Sequence, residues 1–149
     1  MRVVALGGAG DMGRVAARTA CDFGFVEELI VADLDGGAAK RFAEGLGPTA
    51  RAVEVDVADG AALRTLFEGA DVVLNTVGPF YRFGVPVLEA AIDSGCHYLD
   101  INDDWEPTLD MLAMSDRAEA AGVTAIVGMG ASPGISNLLA VRAMRDLDR

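Results

Sequence analysis

The stretch VVALGGAGDMGRVAARTA, residues 3–20, decides the fold, because it places four glycines within seven positions directly after a short apolar run. Gly8, Gly10 and Gly13 form the pattern G-x-G-x-x-G between a predicted strand and a predicted helix. There the first glycine allows a tight turn, the second lets the backbone approach a pyrophosphate, and the third lets the helix pack closely. The helix N-terminus adds free amides and a partial positive charge. The pattern predicts a dinucleotide-binding turn made of Gly7, Gly8, Ala9, Gly10, Asp11, Met12 and Gly13.

Apolar runs and helical patterns alternate along the whole chain, which predicts six β–α units. Apolar strands without a polar face are typical of a parallel sheet that helices cover on both sides. We therefore predict an α/β fold, a Rossmann-type doubly wound parallel sheet of about six strands with helices on both faces. The predicted strands are residues 2–7, 28–33, 52–57, 71–77, 97–101 and 123–129.

The helical patterns indicate where the crossovers lie. The first runs from Asp11 to Phe23 and is closed by Gly24, which favours a left-handed backbone. The others are predicted at residues 37–44, at 60–68 after Asp59 as N-cap, at 85–94 before Gly95, at one helix between Pro107 and Gly122, and at a last helix running to residue 149.

The last helical pattern carries apolar residues at helical spacing and stops without a glycine cap. We interpret residues 1–149 as one dinucleotide-binding domain, the N-terminal part of a longer enzyme whose substrate domain is absent. The apolar face of this helix would then be exposed, which favours self-association. Its apolar residues are Leu138, Leu139, Val141, Met144 and Leu147.

The second predicted strand ends in Asp33, 25 residues after Gly8 and close to the spacing of about 20 residues expected for a ribose-binding acid. A carboxylate there accepts hydrogen bonds from both ribose hydroxyls of NAD and repels the 2′-phosphate of NADP. Leu34 follows it in place of an arginine, although Lys40 and Arg41 lie a turn or two away. NAD is therefore favoured over NADP. The alternative is a turn role for Asp33, with Asp35 as the next N-cap.

Two further strand ends reach the same crevice, because ligands of open parallel sheets bind beyond the carboxyl ends of the strands. Asp56 and Val57 close the third predicted strand and would flank an adenine ring, although a plain turn role for Asp56 is the alternative. Gly78 would let backbone lie beside the nicotinamide ribose. The fourth strand thus contributes Thr76, Val77, Gly78 and Pro79.

Charge and composition exclude several classes of partner. The net charge of −11 argues against nucleic acid and anionic membrane surfaces, which need a basic face. The apolar runs are far shorter than the roughly 20 residues that span a bilayer, and the start of the chain lacks a secretory signal. Two cysteines far apart give no metal-ligand spacing, so we expect no metal site. A cytoplasmic protein with a small-molecule substrate is expected.

The succession GGAGDMG (7–13), VADLD (31–35), DVADGAALRTLFEGADVVLNTVGPFYRFGVPVLEAAIDSGCHYLDI (56–101) and GMGASPGISNLLA (128–140) resembles the N-terminal domain of saccharopine dehydrogenase-like oxidoreductases. The resemblance implies an NAD(P)-dependent enzyme of amino-acid metabolism. It would transfer hydride between the nicotinamide and the C–N bond of an amino-acid-derived secondary amine or imine. The family's substrate domain, which often forms dimers, would follow near Pro133, so this chain alone is expected to be inactive, and a homodimer is one expected assembly.

Substrate-facing residues are expected at the same strand ends. Phe80 and Tyr81 are predicted in the loop after the fourth strand, and Tyr98 and Asp100 at the end of the fifth. Asp100 would hold a substrate ammonium or iminium charge, and Tyr98 or His97 would shuttle a proton near neutrality. Core and loop-capping roles are the alternatives for these residues.

Two other functions remain open from the sequence. An atypical short-chain reductase or epimerase relative fits the glycines, but such enzymes use Tyr-x-x-x-Lys, and the only lysine here is Lys40. A non-catalytic NAD(H)-sensing module is the third interpretation. A substrate domain and measurable redox activity would separate these classes.

Overall fold

The computed structural model describes residues 1–147, and within them six parallel strands form one sheet in the order β3-β2-β1-β4-β5-β6. The first strand lies at the centre, where Val3 is paired with Leu29 on one side and with Val72 on the other. The predicted doubly wound parallel sheet is confirmed. The strands are β1 (Arg2–Leu6), β2 (Glu28–Asp33), β3 (Ala50–Glu54), β4 (Val72–Asn75), β5 (His97–Asp100) and β6 (Ala125–Ile126).

Helices cover both faces of the sheet. Alternate residues of a strand point to opposite faces, so each face of the sheet has its own apolar cluster. Val3 and Ala5 pack in one apolar cluster, and Val4 and Leu6 pack in the other. Within the described residues, none of the helices is long and apolar enough to cross a membrane. The helices are α1 (Asp11–Cys21), α2 (Gly36–Leu46), α3 (Gly60–Phe67), α4 (Phe80–Asp93), α5 (Trp105–Leu112), α6 (Ser115–Ala120) and α7 (Ile135–Arg145).

Helix α4 begins at Phe80, five residues earlier than the sequence predicted. The sequence predicted a connection through residues 78–84 before this helix, but tertiary packing outweighs the low helix propensity of Gly84. Phe80 and Gly84 are both buried, and a Cβ on Gly84 would overlap the end of the Met111 side chain. Phe80 and Tyr81 are therefore the first residues of a helix and do not lie in a loop.

Other boundaries also differ from the prediction. Helix α1 ends at Cys21, and its C-cap is Asp22, so Gly24 does not close it and does not adopt a positive φ. The single helix predicted after Pro107 is two helices, α5 and α6. Strand β3 ends at Glu54, before Asp56 and Val57.

Helix α7 has no buried residue. Its apolar side chains from Leu138 to Met144 are 51–70% exposed, so the predicted exposed apolar face is confirmed. The prediction that the helix runs to residue 149 extends beyond the described residues, and the helix itself ends at Arg145. Self-association and a homodimer stay predictions.

Candidate functional site

A cleft of about 280 Å³ lies at the carboxyl ends of the central strands. It is open where β1, β2 and β4 end and where the chain leaves β3, which is the position that ligands take in open α/β sheets. Most of its wall comes from predicted site residues. The lining residues are Leu6, Gly7, Gly10, Asp33, Leu34, Val55, Asp56, Val57, Thr76, Val77, Gly78 and Phe83.

The glycine turn after β1 is shaped by the absence of side chains. Gly7, with φ of 72°, is the residue of the turn with left-handed backbone, whereas the sequence analysis assigned the tight turn to Gly8. A Cβ on Gly8 would lie 2.7 Å from the Ala5 carbonyl oxygen, and a Cβ on Gly13 would overlap the Gly7 carbonyl oxygen. Gly13 therefore permits the close approach of α1 to the turn, as predicted.

The N-terminus of α1 opens beside this turn. The N-cap is Gly10, and the structure of residues 1–147 shows no side chain capping the helix. The amides of Asp11, Met12 and Gly13 lack acceptors within the helix, as first-turn amides do. A Cβ on Gly10 would meet only the Gly7 carbonyl oxygen within 4 Å, so the space in front of these amides is free. This arrangement suits an anionic group such as a pyrophosphate.

Asp33 is fixed by two backbone amides at the end of β2. Its Oδ2 accepts a hydrogen bond from the Ala9 amide at 3.0 Å, and its Oδ1 accepts one from the Asp35 amide at 3.2 Å. The carboxylate is half-buried and lines the cleft, so it retains acceptor capacity toward a ligand. The turn role weighed as the alternative for Asp33 is also present, since Asp33 Oδ1 accepts from the Asp35 amide and the Asp35 side chain caps α2 by accepting from the Ala38 amide.

The end of β4 is held against the end of β1. The Thr76 hydroxyl donates to the carbonyl oxygens of Leu6 and Gly7, at 2.9 and 3.2 Å. The Val77 amide donates to Asn75 Oδ1 at 3.0 Å. Gly78 is exposed, and a Cβ there would meet nothing within 4 Å. Pro79 follows as the N-cap of α4.

The adenine-side candidates lie on the opposite wall. Leu34 is 69% exposed and lines the cleft beside Asp56 and Val57. Asp56 Oδ1 accepts from the Ala58 amide at 2.9 Å, which is the turn role weighed as the alternative, yet the residue still borders the cleft.

Phe83 is a lining residue that sequence reasoning missed. It lies three residues after Phe80, the first residue of α4. A sequence prediction that began this helix at Phe80 would have placed Phe83 near the cleft. Phe80 is buried and Tyr81 is 71% exposed, and neither lines the cleft. Their predicted contact with a substrate stays a prediction.

Tyr98 and Asp100, the predicted catalytic residues, are 0% and 2% exposed. The Tyr98 hydroxyl accepts from Asn75 Nδ2 and donates to Asp100 Oδ2, each at 2.9 Å. Burial first, and the Asp100 carboxylate second, raise the pKa of Tyr98 well above its usual value, so the phenol keeps its proton. Both side chains are closed off from the surface of the described residues, and the raised pKa does not favour proton transfer by Tyr98 near neutrality. Their catalytic roles stay predictions.

His97 lies at the opposite edge of the sheet from the cleft. It is the first residue of β5, and its Nδ1 accepts a hydrogen bond from the Thr124 amide at 3.0 Å. The proton-shuttle role considered for His97 is therefore wrong, because parallel strands place their first residues at the edge away from the ligand.

Fold and cleft together define a Rossmann-type nucleotide-binding domain. The chain belongs to the family described as the saccharopine dehydrogenase NADP binding domain, whose model matches residues 3–126. At this level it is part of a family of oxidoreductases, and a nicotinamide cofactor is the shared ligand class.

Two curated relatives are similar to parts of this chain. A probable mitochondrial saccharopine dehydrogenase-like oxidoreductase of Arabidopsis thaliana is 42% identical over 76 residues, covering 50% of this chain and 17% of that protein. A trans-acting enoyl reductase of Mycobacterium tuberculosis is 28% identical over 105 residues, covering 68% of this chain and 25% of that protein. The chain thus spans about a quarter or less of these relatives.

A solved structure shows the same fold. Apo saccharopine dehydrogenase (L-Glu forming) from Saccharomyces cerevisiae superposes with a TM-score of 0.82 at 23% identity. The match covers 97% of this chain and 31% of the yeast protein.

Proposed function

We propose that this chain binds a nicotinamide dinucleotide across the cleft at the carboxyl ends of β1, β2 and β4. The observation that carries the proposal is the alignment of three features on one cleft. The uncapped N-terminus of α1 faces free space, the fixed Asp33 carboxylate stands beside it, and the Gly78 backbone lies open on the far side.

Each part of the cleft suits one part of the cofactor. The amides of residues 11–13 donate to the pyrophosphate, and Asp33 accepts from the hydroxyls of the adenosine ribose. Leu34, Asp56 and Val57 flank the adenine ring, and residues 76–79 flank the nicotinamide ribose. The bound cofactor supplies or accepts hydride at its nicotinamide ring, while the protein supplies position and electrostatics.

NAD is the preferred form of the cofactor in this proposal. The Asp33 carboxylate, already held by two amides, would lie against the 2′-phosphate of NADP and repel it. Lys40 and Arg41 are exposed on α2 and are not among the residues that line the cleft. The family description names NADP, so this preference is the sharpest point to test.

Calorimetric titration with NADH and NADPH tests both the cleft and the preference. We expect tighter NADH binding, and Asp33→Ala should weaken NADH by about tenfold while changing NADPH little. Asp35→Asn is the matched control, because it removes a carboxylate two residues away and keeps an N-cap side chain. Equal losses for both cofactors in Asp33→Ala would refute the ribose assignment, and failure of the wild type to bind either would refute the proposal.

The reaction proposed for the whole protein is hydride transfer between the nicotinamide and a C–N bond of an amino-acid-derived substrate. Family membership supports it, and the chain itself would supply the cofactor half. The name of the mycobacterial relative indicates a different hydride acceptor, a carbon–carbon double bond. Loss of reduced-nicotinamide absorbance with an amino-acid-derived imine, and not with an enoyl thioester, supports the proposal, and the reverse result overturns it. These assays use the whole protein, because this chain alone is expected to be inactive, and no turnover of the whole protein with either substrate would favour the NAD(H)-sensing alternative.

A further inference from the structure

Three buried polar side chains connect the ends of β4 and β5. Asn75, Tyr98 and Asp100, here called the buried triad, are each at most 2% exposed. Asn75 Nδ2 donates to the Tyr98 hydroxyl, which donates in turn to Asp100 Oδ2, each at 2.9 Å. Buried polar groups without partners are costly, so a fully bonded series of this kind fixes the side chains that form it.

One end of the buried triad holds the loop that follows β4. Asn75 Oδ1 accepts from the Val77 amide at 3.0 Å. The oxygen of the Asn75 side chain therefore binds the loop, and its nitrogen binds the Tyr98 hydroxyl. Val77 and Gly78 line the cleft. Thr76 is also bonded to the end of β1, whereas nothing lies within 4 Å of a Cβ placed on Gly78, so the Asn75 side chain is the polar side chain that holds the middle of the loop.

The other end of the buried triad holds two more loops. Asp100 Oδ1 accepts from the amides of Asn102 at 3.0 Å and Gly128 at 2.7 Å, and the Asp100 carbonyl oxygen accepts from the Met129 amide. The Asp100 side chain therefore accepts hydrogen bonds from uncharged donors, and it organises the segments after β5 and β6. All three loops lie at the edge of the sheet that carries the cleft.

We propose that the buried triad positions residues 76–79 for the nicotinamide half of the cofactor, so that Tyr98 and Asp100 are positioning residues that act without touching the ligand. This inference rests on the proposed cofactor site. A purely structural role would lower stability without distinguishing one half of the cofactor from the other. A positioning role affects mainly the nicotinamide half. Thr76 does donate to the Gly7 carbonyl oxygen, but the glycine turn is also held by the bonds of the Gly7 and Gly8 amides to Ala32 and of the Ala9 amide to Asp33.

Tyr98→Phe tests the inference, since it removes the bridging hydroxyl and keeps the ring. NADH and ADP are titrated into the wild type and the variant, because ADP contacts the adenine and pyrophosphate parts of the cleft and lacks the nicotinamide ribose. We expect NADH to weaken by about tenfold and ADP by less than about twofold. Val87→Ala is the matched control, a buried residue of the same apolar cluster outside the buried triad, and should weaken neither ligand.

Each outcome has a defined meaning. Equal weakening of NADH and ADP in Tyr98→Phe, or no weakening of either, overturns the positioning role and leaves the cofactor site standing. A wild type that binds neither ligand overturns the cofactor site itself. If Tyr98→Phe does not fold, Asn75→Ala replaces it, because Asp100 then keeps its three donors, and the same selective loss is expected.

Discussion

The glycine turn after β1 and the loop after β4 follow neighbouring strands and line the same cleft, yet they are shaped in opposite ways. The turn depends on positions without side chains, where a Cβ would collide with backbone. The loop depends on the buried Asn75 side chain, which accepts from the Val77 amide and is itself bonded to Tyr98 on the neighbouring strand. Backbone amides that are to bind a phosphate must not be covered by side chains. An exposed loop such as the one at Gly78 is instead fixed by a buried side chain on its inner side.

Gly13→Ala should have the largest effect, because the new Cβ would overlap the Gly7 carbonyl oxygen and force α1 away from the turn. We expect a loss of about 3 kcal/mol in the free energy of unfolding, measured by urea denaturation, together with loss of ADP binding. Gly45→Ala is the control, since a Cβ there meets nothing within 4 Å inside α2, and it should gain about 0.5–1 kcal/mol. If Gly13→Ala bound ADP as tightly as the wild type, the glycine turn would not require a residue without a side chain at this position.

Alkaline pH should lower the free energy of unfolding through Tyr98 of the buried triad. Burial raises the pKa of Tyr98 in the folded protein, so the folded state keeps a proton that the unfolded chain releases above about pH 10. The stability linked to this proton is complete below that pH and is lost as the pH rises further. The free energy of unfolding should therefore fall by up to about 1.4 kcal/mol per pH unit more steeply in the wild type than in Tyr98→Phe.

The control for the pH series is Tyr81→Phe, at a tyrosine that is 71% exposed. Urea denaturation between neutral and strongly alkaline pH gives the slopes for all three proteins. If the free energy of unfolding fell equally steeply with pH in the wild type and in Tyr98→Phe, the Tyr98 phenol would not be buried in the folded protein. The loop after β4 would then lack the buried support described for it.

Helix α7 gives the smallest expected change in stability, because it contributes no buried side chain to either apolar cluster. The double substitution Leu138→Lys and Met144→Lys should change the free energy of unfolding by less than about 0.5 kcal/mol. It should also abolish any self-association of the wild type, measured by sedimentation velocity at increasing concentration. A wild type that stays monomeric throughout would show that this exposed face does not mediate assembly.

The turn could be predicted from the sequence, and the buried triad could not. The turn and its acid lie within one β–α–β unit, so their spacing along the chain is visible in the sequence. The residues concerned are Gly8, Gly10, Gly13 and Asp33. Asn75, Tyr98 and Asp100 come together only when β4 and β5 pair in register, with Val73 opposite Tyr98 and Asn75 opposite Asp100. Their residue types at strand ends suggested chemistry, while their burial, which decides their role, depends on the helices packed around them.

The start of α4 shows a second limit of the sequence. The sequence predicted the helix only from residue 85, whereas the helix begins at Phe80, whose side chain is buried. Phe83 was missed for that reason. The family resemblance, by contrast, was confirmed, because the family model matches residues 3–126.

The central place of β1 also affects the order in which the molecule assembles. Val3 pairs with Leu29 nearby in the chain and with Val72 far along it, a loop between two and three times longer. Closing the longer loop costs roughly 0.9 kcal/mol more in chain entropy. Chain entropy therefore favours pairing β1 with β2 first, so the glycine turn and Asp33 meet early, and the buried triad forms only when the later strands add to a sheet already begun.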